Sequence, residues 1–343
     1  MSLIPPETID LSQWQHHAQR FQQEVGKAVV GLDDAIRLFT ICIFTRGHVM
    51  LEGDVGVGKT TLLRAVTHAL GGEYERIEGT IDLMPNDLLY HTYINQQGKP
   101  QVDPGPLLKH GEQLATFFFN EVNRARPQVH SLLLRVMAER RVSAFNRDYE
   151  FPHLLVFADR NRVEKEETFE VPSAARDRFL MELRIEAPES QQIRKELIFD
   201  PRFHDVDSLI EQVQHGVVPY QTLNAVAHSI QRSIHVSETI QNYVLELWQA
   251  TCKPVDYGIE IEGVDMQRLI LAGLSPRAMS MLIQAARVTT WLEGRDAVLP
   301  EDIQSIFQPI AGHRIFFTPA YELRRADIID QLTDSILKQV AAP

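Results

Sequence analysis

Nine residues, Gly53-Asp54-Val55-Gly56-Val57-Gly58-Lys59-Thr60-Thr61, constrain this chain more than any other stretch. They fit G-x-x-x-x-G-K-[ST], the loop that binds nucleotide phosphates. Its glycines let the backbone approach the phosphates, while successive N–H groups and the following helix N-terminus point at the anion. In this reading Lys59 contacts the β- and γ-phosphates, and the Thr60 hydroxyl ligates Mg²⁺. Such a loop needs a strand before it and a helix after it. Residues 48–52 supply a strand ending in Gly53, and Thr60 to Leu70 has helical spacing closed by Gly71-Gly72. The bland alternative is a turn leading into a helix.

Beyond the loop, short apolar runs alternate with helical patterns. Residues 114–119, 154–158 and 180–185 read as three further strands, and Pro127 to about Glu139 reads as a helix. Apolar strands alternating with helices indicate an α/β fold whose mainly parallel sheet is covered on both faces. Two hairpins are predicted between these elements. One spans 93–102 with Asn95 to Lys99 at a polar tip; the other spans 142–151 with Asn146-Arg147-Asp148 at its tip.

After Pro188 the pattern changes. Residues 189–215 are polar, contain Asp200-Pro201-Arg202, and read as a linker. From Tyr220 onward the spacing is helical. One helix opens at Ser237, a second has Ser275 as N-cap and Pro276 as first residue, and a third begins at Pro300. The implied organisation is an N-terminal helical segment (1–24), an αβα nucleotide-binding core (25–188), the linker (189–215), and a helical lid with a C-terminal helix (216–343).

Composition removes several classes. With 34 Lys+Arg against 46 Asp+Glu, the 343-residue chain has a net charge of −12. That balance argues against gripping nucleic acid through bulk positive charge. Cys42 and Cys252 are too few for a disulfide scaffold and fit a reducing compartment such as the cytoplasm. The first residues lack the charged and apolar regions of a signal peptide, and no apolar run is long enough to span a bilayer. No histidine or cysteine cluster has zinc spacing. Arg160 to Glu170 reads as a solvated charged loop near the nucleotide site.

Phosphoryl transfer also needs a carboxylate near the Mg²⁺ and a group that orients water, both at the tip of an apolar strand. Phe117-Phe118-Phe119-Asn120-Glu121 fits that place. Glu121 would polarise the attacking water. Asn120 stands where an Asp normally holds the metal through its water shell. An amide oxygen can accept a hydrogen bond from Mg²⁺-bound water but brings no negative charge. A buried strand with a polar exit is the alternative.

At these residues the sequence resembles the MoxR family of AAA+ ATPases. Residues 120–137, NEVNRARPQVHSLLLRVM, are similar to the family's D-E-I-N-R-A-x-P-x-x-x-x-x-L-L-x-x-M. Val29-Val30-Gly31-Leu32 resembles its V-V-G-Q. Phe157-Ala158-Asp159-Arg160-Asn161 resembles F-A-T-Q-N-P, with Arg162 in place of Pro. Pro172 to Phe179 resembles P-E-A-Q-L-D-R-F, and Leu274-Ser275-Pro276-Arg277-Ala278 resembles G-A-S-P-R-A. The motifs occur in order from about Val25 to Arg314, and the two hairpins match the insertions of the helix-2-insert branch.

The resemblance implies an ATP hydrolase that uses ATP and Mg²⁺ in a homo-oligomeric ring, hexameric in expectation. It would remodel or activate a client protein or metalloenzyme, with a von Willebrand factor A domain protein as partner. Asn161 would be the first sensor and Arg277 the second. Arg178 would be the arginine finger reaching a neighbour's nucleotide, with Arg176 the alternative if Arg178 pairs with Asp177. Residues Gln96 to Lys99 are a candidate client-contact loop, with a partnerless hairpin as the other reading. Two rival functions remain open: a scaffold that binds ATP but hydrolyses it slowly because of Asn120, and a nucleic-acid motor, which the net charge disfavours.

Overall fold

Phe117, Phe118 and Phe119 are all wholly buried. Successive strand residues face opposite sides, so their sheet is covered on both faces. A computed structural model describes residues 9–161 and 169–343. In chain order its first strands are β1 (His48–Gly53), β2 (Glu73–Glu78), the hairpin β3 (Tyr90–Ile94) and β4 (Pro100–Pro104), and β5 (Leu114–Asn120). The hairpin β6 (Arg141–Ala144) and β7 (Arg147–Glu150) follows, then β8 (Leu155–Asn161) and β9 (Phe179–Ile185). Five of them form one sheet in the order β2-β5-β8-β1-β9, and each hairpin is a separate two-stranded sheet.

The helices up to this point are α1 (Leu11–Gly26), α2 (Asp33–Thr45), α3 (Lys59–Leu70), α4 (Pro85–Leu89), α5 (Pro127–Glu139) and α6 (Ser173–Arg176). On one face of the sheet, Phe117, Phe119, Val156 and Ala158 share a core with Val129, Leu133 and Val136 of α5. On the other, Phe39 of α2 meets Phe157 edge-on, with ring centroids 5.3 Å apart. Burying each such side chain contributes about 1.5–3 kcal/mol.

Strand β2 was not foreseen from the sequence. It carries Glu73, Glu75, Arg76 and Glu78, and none of its residues is fully buried. That is the pattern of an edge strand, where charge blocks pairing with another chain. The parallel ladders align Glu78 with Asn120, Phe119 with Ala158, and Gly53 with Asn161. The strand order reverses around β1, so the carboxyl ends of β1, β5 and β8 open on a topological switch point, where ligands of α/β sheets bind.

Two local expectations are corrected. The segment 189–215, read as a linker, is largely helical. It holds α7 (Gln191–Phe199) and α8 (Val206–Glu211) and groups with the nucleotide-binding unit. Polar caps disguise it: Ser190 accepts from Ile193 N–H, and Asp205 accepts from Asp207 and Ser208. Arg64 of α3 pairs with Asp207 at 2.6 Å. The tip of the second hairpin is Phe145-Asn146, both with positive φ (53° and 58°), leaving Arg147 and Asp148 in β7. Positive φ at both turn residues is the geometry of a two-residue I′ loop.

The second unit, mainly 225–343, is built from α9 (Leu223–Ser233), α10 (Glu238–Cys252), α11 (Met266–Leu269), α12 (Pro276–Leu292) and α13 (Pro300–Ala311). Helices α14 (Pro319–Glu322) and α15 (Arg325–Gln339) complete it, with a short ribbon of β10 (Ile270–Ala272) and β11 (Phe316–Phe317). Ser275 caps α12 by accepting from Ala278 N–H at 3.1 Å. Buried Asp302 accepts from Thr290, Arg295 and Leu299 N–H, so its charge is fully paired. No described helix is long and apolar enough to cross a membrane.

His48, the first residue of β1, gives the core a pH dependence. Its Nε2–H donates to Met137 O at 3.2 Å, and its Nδ1 accepts from Val156 N–H at 2.9 Å, which requires the neutral ring. Burial, with nearby Arg140, lowers its pKa to about 3. Unfolded, the imidazole takes a proton as pH falls through about 6.5, whereas the folded one stays neutral until about 3. Stability is therefore lost progressively as pH drops through that window, by up to about 1.4 kcal/mol per pH unit. Denaturant unfolding at pH 7, 6 and 5 should show a shallower slope in His48→Gln; an unchanged slope refutes this assignment.

Candidate active site

The glycines of the loop serve different needs. At Gly53, a Cβ would lie 2.3 Å from Ile185 O, so the strand end admits no side chain. Gly56 and Gly58 have φ of +83° and +91°, with open space where a Cβ would stand. The helix α3 begins directly at Lys59. Thr60 and Thr61, half-buried, follow in its first turn. Asp54 and Val55 form the exposed crest, and half-buried Val57 packs back toward Gly53. This cradle fits a polyphosphate.

Lys59 is only 7% exposed. Its Nζ donates to Gly53 O at 2.5 Å and to Asn161 Oδ1 at 2.6 Å, and lies 3.8 Å from Asp159 Oδ2. Asn161 at the tip of β8 donates in turn from Nδ2 to Glu121 Oε1 at 2.9 Å. The other carboxylate oxygen of Glu121 accepts from Arg124 at 2.9 Å. Lys59, Asn161 and Glu121 thus form one continuous chain of contacts from the start of α3, through the tip of β8, to the residue after β5. Glu121 has φ 52° and ψ 49°, a left-handed conformation that costs a side-chain-bearing residue about 1–2 kcal/mol.

Three residues that sequence reasoning passed over complete this end of the sheet. Asn120 donates from Nδ2 to Glu78 of the edge strand. Gly79 donates its N–H to Asn120 O at 2.7 Å, and a Cβ on it would meet Glu121 O at 2.1 Å, so a glycine makes room for the left-handed residue. Asp159, 2% exposed, accepts from Glu121 N–H at 2.6 Å. Burial pushes its carboxyl up to about 6, against the lowering effect of the Glu121 N–H and Lys59. A glycine closing a mostly charged segment was the available signal for Gly79. Nothing local marks Asp159 or Glu78.

The other predicted residues belong to other elements. Arg178 follows α6 and donates to Ala174 O at 2.6 Å, while Arg176 is the last residue of that helix. Arg277 occupies the first turn of α12 in the second unit. Most of the charged loop 160–170 lies outside the described residues. Gln96 to Lys99 form an exposed turn, held by Asn95 Oδ1 accepting from Gln97 and Lys99 N–H. Among the described residues no group of three His, Cys, Asp or Glu is arranged to hold a metal alone. A divalent ion here would be held by Thr60, phosphate and water, the mode in which Mg²⁺ retains most of its shell.

A phosphate loop at the switch point, an Asn at the tip of the adjacent strand and a Glu just beyond the tip of the next define an AAA+ ATPase. The family described as ATPase family associated with various cellular activities (AAA) matches residues 48–181, and the AAA lid domain matches 265–333. Protein MoxR of Methylorubrum extorquens is 57% identical over the whole of both chains. Protein MoxR of Paracoccus denitrificans is 51% identical over 97% of this chain and 98% of its own. Chaperone MoxR1 of Mycobacterium tuberculosis is 31% identical over 96% of this chain and 83% of its own. A crystal structure assigned as an ATPase, from Cytophaga hutchinsonii, superimposes with a TM-score of 0.81 at 30% identity, covering 97% of each chain. The chain belongs to the MoxR family of AAA+ ATPases.

Proposed function

We propose that this ATPase works as a chaperone-like homo-oligomeric ring, hexameric by family pattern, that spends ATP·Mg²⁺ on remodelling or activating a client protein. The observation that carries the reading is the contact chain Lys59–Asn161–Glu121 beside an open glycine cradle. In it, Lys59 neutralises the β- and γ-phosphates and Glu121 accepts a proton from the attacking water. Asn161 fixes both groups, and Arg277 senses the nucleotide from the lid. Thr60 would hold the magnesium and Asn120 would reach its water shell, and the ion would supply charge neutralisation at the phosphates. A relative carrying the name chaperone supports the client role. Cys42 and Cys252 form no disulfide, which suits a cytoplasmic location. A von Willebrand factor A domain partner follows from family resemblance alone.

Arg178 is proposed as the finger acting on a neighbour's nucleotide, with Arg176 as the alternative. Its test is complementation. Arg178→Ala should bind nucleotide within a few-fold of the unmutated chain and lose at least about 100-fold in phosphate release. Mixing it with Glu121→Gln, also inactive alone, should restore part of the turnover, because mixed rings contain sites with both groups intact. No recovery, with rings present by sedimentation, removes Arg178 from the trans role. Rings that form in ATP without any turnover by the unmutated chain would favour the scaffold.

A further inference from the structure

Two departures from the family's motifs meet in space. Where the pattern has Asp, this chain has Asn120; where F-A-T-Q-N has Thr, it has Asp159. The ladder pairs Phe119 with Ala158, so Asn120 and Asp159 are the next positions on adjacent parallel strands and share a face. We propose that Asp159 replaces, from the neighbouring strand, the carboxylate missing at Asn120: it holds Glu121 in place, balances Lys59 and supplies the negative charge facing the magnesium water shell.

The geometry gives each part a contact. Asp159 Oδ1 accepts the Glu121 N–H at 2.6 Å, tying down a residue whose left-handed backbone needs an external hold. Its Oδ2 faces Lys59 Nζ at 3.8 Å. A carboxylate so deeply buried is retained only when paired, and both of its partners belong to the reaction machinery. The arrangement also explains why position 120 is an amide. Asn120 donates to Glu78, while Glu121 and Asp159 stand beside it. An ionised aspartate in its place could not donate, and it would add a fourth negative charge to the cluster.

This inference rests on the magnesium-dependent ATPase reading, and charge exchange between the two positions tests it. Two quantities are followed: phosphate release, and the Mg²⁺ concentration that half-saturates binding of a fluorescent ADP analogue. Asp159→Asn should lose about 100-fold in turnover and need about tenfold more Mg²⁺. Adding Asn120→Asp to that variant should bring both back to within a few-fold. Asp159→Thr, alone and with Asn120→Asp, repeats the comparison with the family's own residue should the amide fail to fold. An unshifted Mg²⁺ requirement in a folded Asp159 variant overturns the proposal. So does a double variant no better than the single one, or a tenfold gain in turnover from Asn120→Asp alone. Nucleotide binding by the unmutated chain that ignores Mg²⁺ would instead remove the underlying reading, and this inference with it.

Discussion

Glu121→Gln should hold ATP without turning it over, with steady-state phosphate release lower by about 10³-fold. The substitution keeps the shape of the side chain and its acceptor for Asn161 Nδ2, now at 2.9 Å from the carboxylate. What it removes is the ability to take a proton from water, and the charge opposite Arg124. Nucleotide affinity depends on the glycine cradle and Lys59, so it should stay within a few-fold. Equilibrium binding of labelled ATP together with single-turnover phosphate release separates these effects. A variant retaining more than a tenth of the original rate would mean that another group activates the water. The same long-lived ATP state makes the variant a trap: affinity purification from the native cell in ATP should recover client and adaptor together.

Lys59→Ala should fail earlier, at binding. The ammonium is held inside the loop, reaching Gly53 O, Asn161 and Asp159. Without it, phosphate charge meets the buried Asp159 carboxylate uncompensated. Nucleotide dissociation constants should rise by about 100-fold, and turnover should fall below detection even at saturating ATP. Breaking a buried ion pair ordinarily destabilises a fold by about 3–5 kcal/mol. Here the loss should be smaller, because burial already pushes the Asp159 carboxyl up to about 6 and it can protonate once Lys59 is gone. Thermal unfolding at pH 5.5 and pH 8 tests this, with the larger drop expected at pH 8. A folded variant that binds ATP normally would remove Lys59 from its assigned place.

Much of the architecture was legible beforehand because it is written in local spacing. The strand before Gly53, the helix Pro127–Glu139, the Ser275 cap with Pro276 behind it and the start at Pro300 all depend on residues within a turn or two of each other. The errors share a cause as well. Four of the six residues of β2 are charged because an edge strand faces water, so its pattern lacks an apolar run. Helices α7 and α8 hide in a polar stretch, since their caps are the Ser and Asp that also mark loops. The tip of the second hairpin was displaced because Phe145 takes a positive φ that its side chain does not favour.

The candidate site divides along the same line. The sequence by itself determined the phosphate loop, the Asn120-Glu121 pair and the amide at Asn161, and through their order the family. Each is a short segment whose chemistry needs only its own residues in succession. What tertiary structure alone decided is which of them touch. Lys59 reaches Asn161 across 102 residues of chain, and Glu121 reaches Asp159 across 38. Those contacts depend on the order β5-β8-β1, and strand order is set by how crossover helices pack on a twisted sheet, a property no local window contains. That order turned a missing charge at Asn120 into a question about its neighbour.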